Sequence, residues 1–331
     1  MFTPYRNVLA QKNHGPRAMR GYTYNSYETV ILENELVRAV VIVGYGAMVH
    51  EFLYKPRDID VLYKNPGGLR PHAAFVPSSY EASPLSDHHP AGWYECFPSG
   101  STPVKQNGVH IGFHGEIWGT PFELNGTEDS DAGCSATMTG YTHRTPWKLV
   151  KKWSLKKNDP TLYLEETATN LGERDLTVMW GQHPFYGAPF INGECAIEFA
   201  GTGYFDHADQ PMIRKNWPAT SPRDLRKIGA EGSNTGKMIF VTDFDRGFYR
   251  INSPAFKLAL EMEWDADKFP YCWMYECCND HKVQNGRSYG LAVEPFTGLP
   301  GAIEEGHGVI PIKAHASESA AFALRFAPFG S

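Results

Sequence analysis

The 331-residue chain has no C-x-x-C pair among its six cysteines, Cys96, Cys134, Cys195, Cys272, Cys277 and Cys278. This excludes the usual zinc-ribbon and thioredoxin-like motifs. The neighbouring Cys277 and Cys278 are poorly placed to bond to each other, so all six are read as reduced thiols of a cytosolic chain. Long apolar runs are missing too: no segment approaches the roughly 18 residues of a membrane span. The opening stretch Met1–Ala10 lacks the basic start and apolar stretch of a secretory signal, and the expected location is cytoplasmic. With no secretion expected, the glycosylation-like triplet Asn125-Gly126-Thr127 has no consequence. No Lys/Arg run or basic stripe accompanies the net charge of −6. Nucleic-acid and membrane partners are therefore not expected. Helical periodicity over ten or more residues is absent, which disfavours a helical bundle.

Period-two alternation is what the chain has in quantity. Phe256, Leu258, Leu260, Met262 and Trp264 alternate with Lys257, Glu261 and Glu263, a strand with one wet face. Ala320, Phe322, Leu324 and Phe326 repeat the pattern. Trp147, Leu149, Trp153 and Leu155 alternate with lysines, and Lys157-Asn-Asp-Pro160 turns the chain into Leu162, Leu164 and Ala168, which predicts a long hairpin. The stretch from Tyr27 to Tyr63 adds strands broken at Gly44, Gly46 and Lys55-Pro-Arg-Asp58. With 24 Pro, 32 Gly and 13 % aromatics, the fold class expected is all-β, with function borne on loops. Segments 64–92 and 201–236 are expected to be long surface loops. No linker separates halves and no repeat recurs, so a single domain over residues 1–331 is expected.

Gly44-Tyr-Gly46 after Val40–Val43 has the first two glycines of a dinucleotide fingerprint. The third is missing, and a strand rather than a helix is expected to follow. His88-His89 and His114-Gly-Glu116 are imidazole and carboxylate groups of the kind that bind metals, but no third ligand lies at ligand spacing. No metal or other cofactor is expected. His183 stands beside Pro184 between Trp180 and Phe185, where burial would lower its pKa and a carboxylate would raise it. Glu294 ends the apolar run Leu291-Ala-Val293 where a Gly/Pro-rich loop begins. Either it caps that loop through backbone amides or it does chemistry, since strand ends feeding loops commonly present functional groups. Trp93, Trp118, Trp180, Trp264 and Trp273 are individually core candidates. Beside His, Gln and Glu they also suit the apolar faces of a sugar ring.

Four segments carry a family pattern in order along the chain: Gly92-Trp-Tyr-Glu-Cys-Phe-Pro98, His114-Gly-Glu-Ile-Trp118, Gln182-His-Pro-Phe185 and Glu294-Pro-Phe-Thr297. Through these the chain resembles the aldose 1-epimerase (galactose mutarotase-like) superfamily. The resemblance implies a β-supersandwich of large antiparallel sheets with few short helices, binding a free sugar as its small-molecule partner, as a monomer or homodimer. It further implies Glu294 as the base for the anomeric hydroxyl, His183 as the acid for the ring oxygen, and His114 as a second imidazole steadying that oxygen. Substrate contacts are then expected from Trp93, Glu95, Glu116, Trp118, Gln182, Phe185 and Arg70. The family's early arginine has no clean counterpart beyond Arg70 or Arg57, and its mid-chain acidic residue is open among Asp206, Asp209, Asp243 and Asp245.

Two other classes remain alongside the epimerase. A glycoside hydrolase or polysaccharide lyase on a related sandwich would pair Glu95 or Glu116 with Glu294. A carbohydrate-binding protein would keep the aromatics and tolerate loss of Glu294.

Overall fold

The computed structural model describes residues 15–71, 85, 88, 89, 91–100 and 102–330. The Met1–Ala10 stretch and the 72–84 part of the expected 64–92 loop lie outside the described residues. The alternating segments form strands because each has one apolar face to bury. β1 (Arg17–Tyr24), β2 (Tyr27–Glu33), β3 (Val37–Ile42), β4 (Met48–Tyr54) and β5 (Ile59–Asp60) come first. They are followed by β6 (Trp93–Cys96), β7 (Val104–Gln106), β8 (Val109–Ile111), β9 (Phe122–Asp129) and β10 (Gly133–Tyr141). Next come β11 (Trp147–Lys156), β12 (Thr161–Asn170), β13 (Leu176–Val178), β14 (Gly181–Gly187), β15 (Ala196–Asp206) and β16 (Lys215–Asn216). The last are β17 (Thr235–Ser253), β18 (Leu258–Trp264), β19 (Tyr271–Cys278), β20 (Tyr289–Phe296), β21 (Ile310–Ile312) and β22 (Ser317–Pro328). Helices among the described residues are single turns such as Ala302–Glu305.

The pairings run β9–β10–β11–β12–β22–β18–β17 in one layer, all antiparallel. A second layer runs β1–β2–β3–β4–β6–β14–β20–β19–β17. β17 belongs to both. Its residues from Gly247 onward pair with β18, while Thr235–Val241 pair with β19, and β15 lines its other edge. The core lies between the layers, where Trp93 of β6 packs edge-on against Trp153 of β11 and Phe52 of β4 stacks on Phe326 of β22.

Two differences from the sequence reading have local causes. β15 continues to Asp206, inside the segment expected to be loop from 201. Gly201 and Gly203 disguise that strand, because a Cβ at Gly201 would lie 2.7 Å from the Thr242 carbonyl oxygen and one at Gly203 would lie 2.4 Å from the Asp243 carboxylate. Glycine in a strand marks such close approaches. The Gly44–Gly46 segment is a turn into strand β4, and Gly46 (φ +67°) leaves only 2.3 Å between its would-be Cβ and the Trp118 carbonyl oxygen. Only glycine meets both conditions.

Candidate active site

One row across the second layer collects the chemistry. Tyr94 of β6 faces His183 of β14. The β14–β20 register, fixed by Gly181 opposite Phe296 and Phe185 opposite Ala292, sets His183 opposite Glu294. Glu294 pairs with Trp273 of β19, Trp273 with Phe240 of β17, and Phe240 with Phe205 of β15. Residues directly opposite one another share a face of the sheet. Tyr94, His183, Glu294, Trp273, Phe240 and Phe205 therefore form a continuous line on the face turned away from the core.

The pair at the centre is His183 and Glu294, with Nε2 3.5 Å from Oε1. The Tyr94 ring stacks on His183 at 4.3 Å between centroids and 17° between planes. Beyond Glu294, Trp273 stacks on Phe296 at 4.0 Å and donates its indole N–H to the Gly298 carbonyl oxygen. Gly181 is what makes room for Phe296, since a Cβ there would lie 2.0 Å from its ring.

His114 reaches the same place from a tight turn. It has φ +60° and is followed by Gly115 at φ +81°, conformations that non-glycine residues adopt rarely and that cluster at functional sites. Gly115 permits the turn to press on the end of β6, where a Cβ would sit 2.2 Å from the Phe97 carbonyl oxygen. The His114 ring stacks on Phe113 at 4.0 Å and lies 5.1 Å from His183 between centroids. Its Nδ1 is 3.0 Å from the Tyr94 hydroxyl. That hydroxyl is also 3.2 Å from Nε2 of His89.

The electrostatics follow from burial. Desolvation holds the Glu294 carboxyl well above the usual range. His183 is held well below the usual imidazole range, by burial first and then by His114 and His89. Burial lowers His89 to about 4, and burial with the field of His89 lowers His114 to about 3. Burial raises the Tyr94 phenol well above its ordinary value, so it stays protonated. The opposed shifts favour the protonated carboxyl of Glu294 and the neutral imidazole of His183, the arrangement in which two neighbouring groups can divide acid and base roles.

The other expected contacts divide. Phe185 lies two residues along β14 from His183, with rings 6.2 Å apart. Trp118 packs in the apolar cluster with Tyr94, Trp273 and Phe296. Arg70 has an exposed side chain, and its carbonyl oxygen accepts from the Tyr27 hydroxyl.

Trp93, Glu95 and Gln182 lie on the opposite, inward face, because neighbours of Tyr94 and His183 in a strand must point the other way. There the Trp93 indole N–H donates to Gln182 at 2.8 Å and the Gln182 amide donates to Glu166 at 2.8 Å. Lys151 lies 2.7 Å from Glu95 and 3.5 Å from Glu166. Glu116 is occupied elsewhere. Its carboxylate accepts from the backbone N–H groups of His143 and Arg144 and from the Thr145 hydroxyl at 2.6 Å, which ties down the turn before β11.

Three of the four acidic candidates in mid-chain are likewise engaged, and Asp245 is exposed. Asp206 pairs with Lys237, Asp209 with Lys215 and Asp243 with Arg214. Among the described residues no group of three His, Cys, Asp or Glu side chains is arranged to hold a metal ion. No helix there is long and apolar enough to cross a membrane.

The arrangement of strands has counterparts among solved structures. A protein of Klebsiella pneumoniae provisionally assigned as an aldose 1-epimerase superposes with a TM-score of 0.75 at 12 % identity, over 97 % of this chain and 85 % of that one. A galactose mutarotase-like protein from Clostridium acetobutylicum gives 0.69 at 13 % identity over 95 % and 99 %. The chain has the galactose mutarotase-like fold. A galactose mutarotase related enzyme from Lactobacillus acidophilus, at a TM-score of 0.64 and 13 % identity over 92 % and 99 %, is also similar. No protein-family model and no curated protein matches the sequence. The mutarotase-like fold is thus established by shape at low identity, and the chemistry must be argued from the side chains.

Sequence reasoning missed Tyr94 and treated His89 only as half of a possible metal pair. The signal for Tyr94 was its position: in Trp93-Tyr-Glu-Cys96 only alternate residues share a face, so Tyr94 and Glu95 could not both line one site.

Proposed function

We propose that the chain is an aldose 1-epimerase, interconverting the α and β anomers of a free sugar by ring opening and closure. The observation that carries the reading is the His183–Glu294 pair, an imidazole and a carboxyl 3.5 Å apart with opposed shifts, at the middle of an aromatic row. Mutarotation needs one proton taken from the anomeric hydroxyl and one given to the ring oxygen.

In this reading the hydroxyl binds at Glu294, and its hydrogen bond favours the carboxylate. The proton of the pair then resides on His183. Glu294 accepts the hydroxyl proton as His183 protonates the ring oxygen. The C1–O5 bond breaks and a carbonyl forms at C1. Rotation about C1–C2 and reversal of the two transfers closes the other anomer and restores both groups. His114 donates to the ring oxygen or a neighbouring hydroxyl. Trp273, Phe240, Phe185 and Trp118 supply apolar faces for the sugar's C–H surface.

The hydrolase reading needs a second carboxylate facing Glu294. Its two candidates are committed elsewhere, Glu95 in the core and Glu116 to the turn at Thr145. Saturation-transfer NMR across a panel of free aldoses, sugar phosphates and acidic sugars tests the proposal. Enzyme-accelerated exchange between anomers of one class supports it, while sugar binding without exchange would leave a binding protein instead.

A further inference from the structure

We propose that His89 and Tyr94 are positioning residues that fix the tautomer of His114, making its Nε2–H a permanent donor to the reacting sugar. The role of that donor rests on the epimerase reading; the assignment of the proton does not.

A backbone amide fixes the first proton. The N–H of Ala91 donates to Nδ1 of His89 at 3.0 Å. A backbone N–H can only donate, so Nδ1 of His89 must offer its lone pair. His89 is neutral near pH 7, burial having lowered it to about 4, and its one ring proton is therefore on Nε2. That N–H faces the Tyr94 oxygen at 3.2 Å. A phenol has one proton to give, and with His89 already donating to its oxygen, that proton goes to Nδ1 of His114 at 3.0 Å. His114 must then carry its own proton on Nε2, at the far side of the ring from Tyr94.

Reversing the chain would put a proton on Nδ1 of His89, pointing at the Ala91 N–H. Two donors face to face leave both buried groups unsatisfied, at a cost of about 1–3 kcal/mol each. The amide is itself held in place. Ala91 and Gly92 have φ +63° and +65°, the Gly92 N–H donates to the Tyr63 carbonyl oxygen at 3.0 Å, and a Cβ at Gly92 would sit 2.2 Å from the Val49 carbonyl oxygen. The turn that aims Ala91 is thus clamped between Tyr63 and strand β4.

The consequence is a division of labour. The proton that moves belongs to Glu294 and His183. The proton that must not move belongs to His114, and its position is dictated through Tyr94 and His89 from the backbone. A free imidazole would divide itself between two tautomers, one of which turns a lone pair toward the ring oxygen.

The test is long-range ¹H–¹⁵N NMR of histidine-labelled protein without sugar, which reads each ring's tautomer directly, combined with anomer-exchange kinetics. The wild type is expected to show Nε2–H for both His89 and His114. Tyr94→Phe keeps the ring stacked on His183 and removes only the hydroxyl. It should release His114 to a mixture of tautomers and lower kcat by roughly 10- to 100-fold, with KM little changed. His89→Gln, whose amide can still donate to Tyr94, should preserve the His114 tautomer, whereas His89→Leu should not. An Nδ1–H tautomer of His114 in the wild type, or an unchanged tautomer in both Tyr94→Phe and His89→Leu, would overturn the proposal. A wild type that exchanges no sugar would end the epimerase reading alone, since the spectra are recorded without substrate.

Discussion

Tyr94 and His183 lie directly opposite each other in the β6–β14 register and stack nearly parallel, their ring centroids 4.3 Å apart. Through this contact one imidazole of the site is held flat beside Glu294 while the tyrosine hydroxyl reaches back to the other two. Because the stack is a matter of shape, its removal should be felt in turnover. Tyr94→Leu is expected to lower kcat more than Tyr94→Phe does, by a further factor of roughly 2 to 13, the equivalent of about 0.5–1.5 kcal/mol for an aromatic pair. Comparing the two variants in the exchange assay checks this, and equal losses would mean that the stack contributes nothing.

Protonation of Glu294 is linked to stability. Its folded-state pKa is raised by burial above the ordinary 4.5. The stability associated with the protonated form is fully present below pH 4.5 and is lost as pH rises toward the folded value. Glu294→Gln removes this dependence. The variant should therefore gain stability relative to wild type on going from pH 5 to pH 8. Urea unfolding at the two pH values measures it, and a pH-independent difference would show that the carboxyl is not desolvated as described.

His50 gives the opposite sign away from Glu294 and His183. Burial first, and Lys64 second, lower it from 6.5 to about 4. Its contribution is fully present above pH 6.5 and is lost as pH falls toward 4, because the unfolded chain takes up a proton that the folded one refuses. His50→Gln should flatten the stability profile between pH 6.5 and 4 by about 1.4 kcal/mol per pH unit. Parallel profiles for variant and wild type would contradict the assignment.

The ion cluster behind the site should behave as a structural unit. Burial and then Glu95 push the Glu166 carboxyl well above its ordinary range. Burial alone would lower Lys151, but Glu95 and Glu166 outweigh it and raise the ammonium group. Lys151→Met leaves buried carboxyls without their cation and should cost about 3–5 kcal/mol. Adding Glu95→Gln and Glu166→Gln should recover most of that loss. Unfolding free energies of the single and triple variants decide it, and an additive further loss in the triple variant would contradict the account.

The same cluster shows where the sequence was readable. The hairpin of β11 and β12 was legible from alternation and its Lys157–Pro160 turn, and Lys151 and Glu166 sit on its apolar stripes, between Leu149 and Trp153 and between Leu164 and Ala168. Charges in those positions already announce a buried pair. The strands β6, β14 and β20 offered no such guide, since every residue in them is buried and period two vanishes when both faces are covered. Glu95, Gln182 and Trp93 therefore looked as near to the site as Tyr94 and His183. Glu294, His183 and His114 stood out because each ends or interrupts an apolar run with a titratable group, and the structure brings all three together. His89 could not be placed from sequence, because its role depends on a backbone amide two residues away.

The central claim is that Glu294 and His183 exchange protons with the anomeric centre of a sugar. Saturation transfer between α- and β-anomer resonances, with wild type and Glu294→Gln side by side, tests it most directly. The account predicts exchange in the wild type that drops by roughly 10² to 10⁴ in the variant while the variant remains folded and binds the sugar. Undiminished exchange in Glu294→Gln would contradict it.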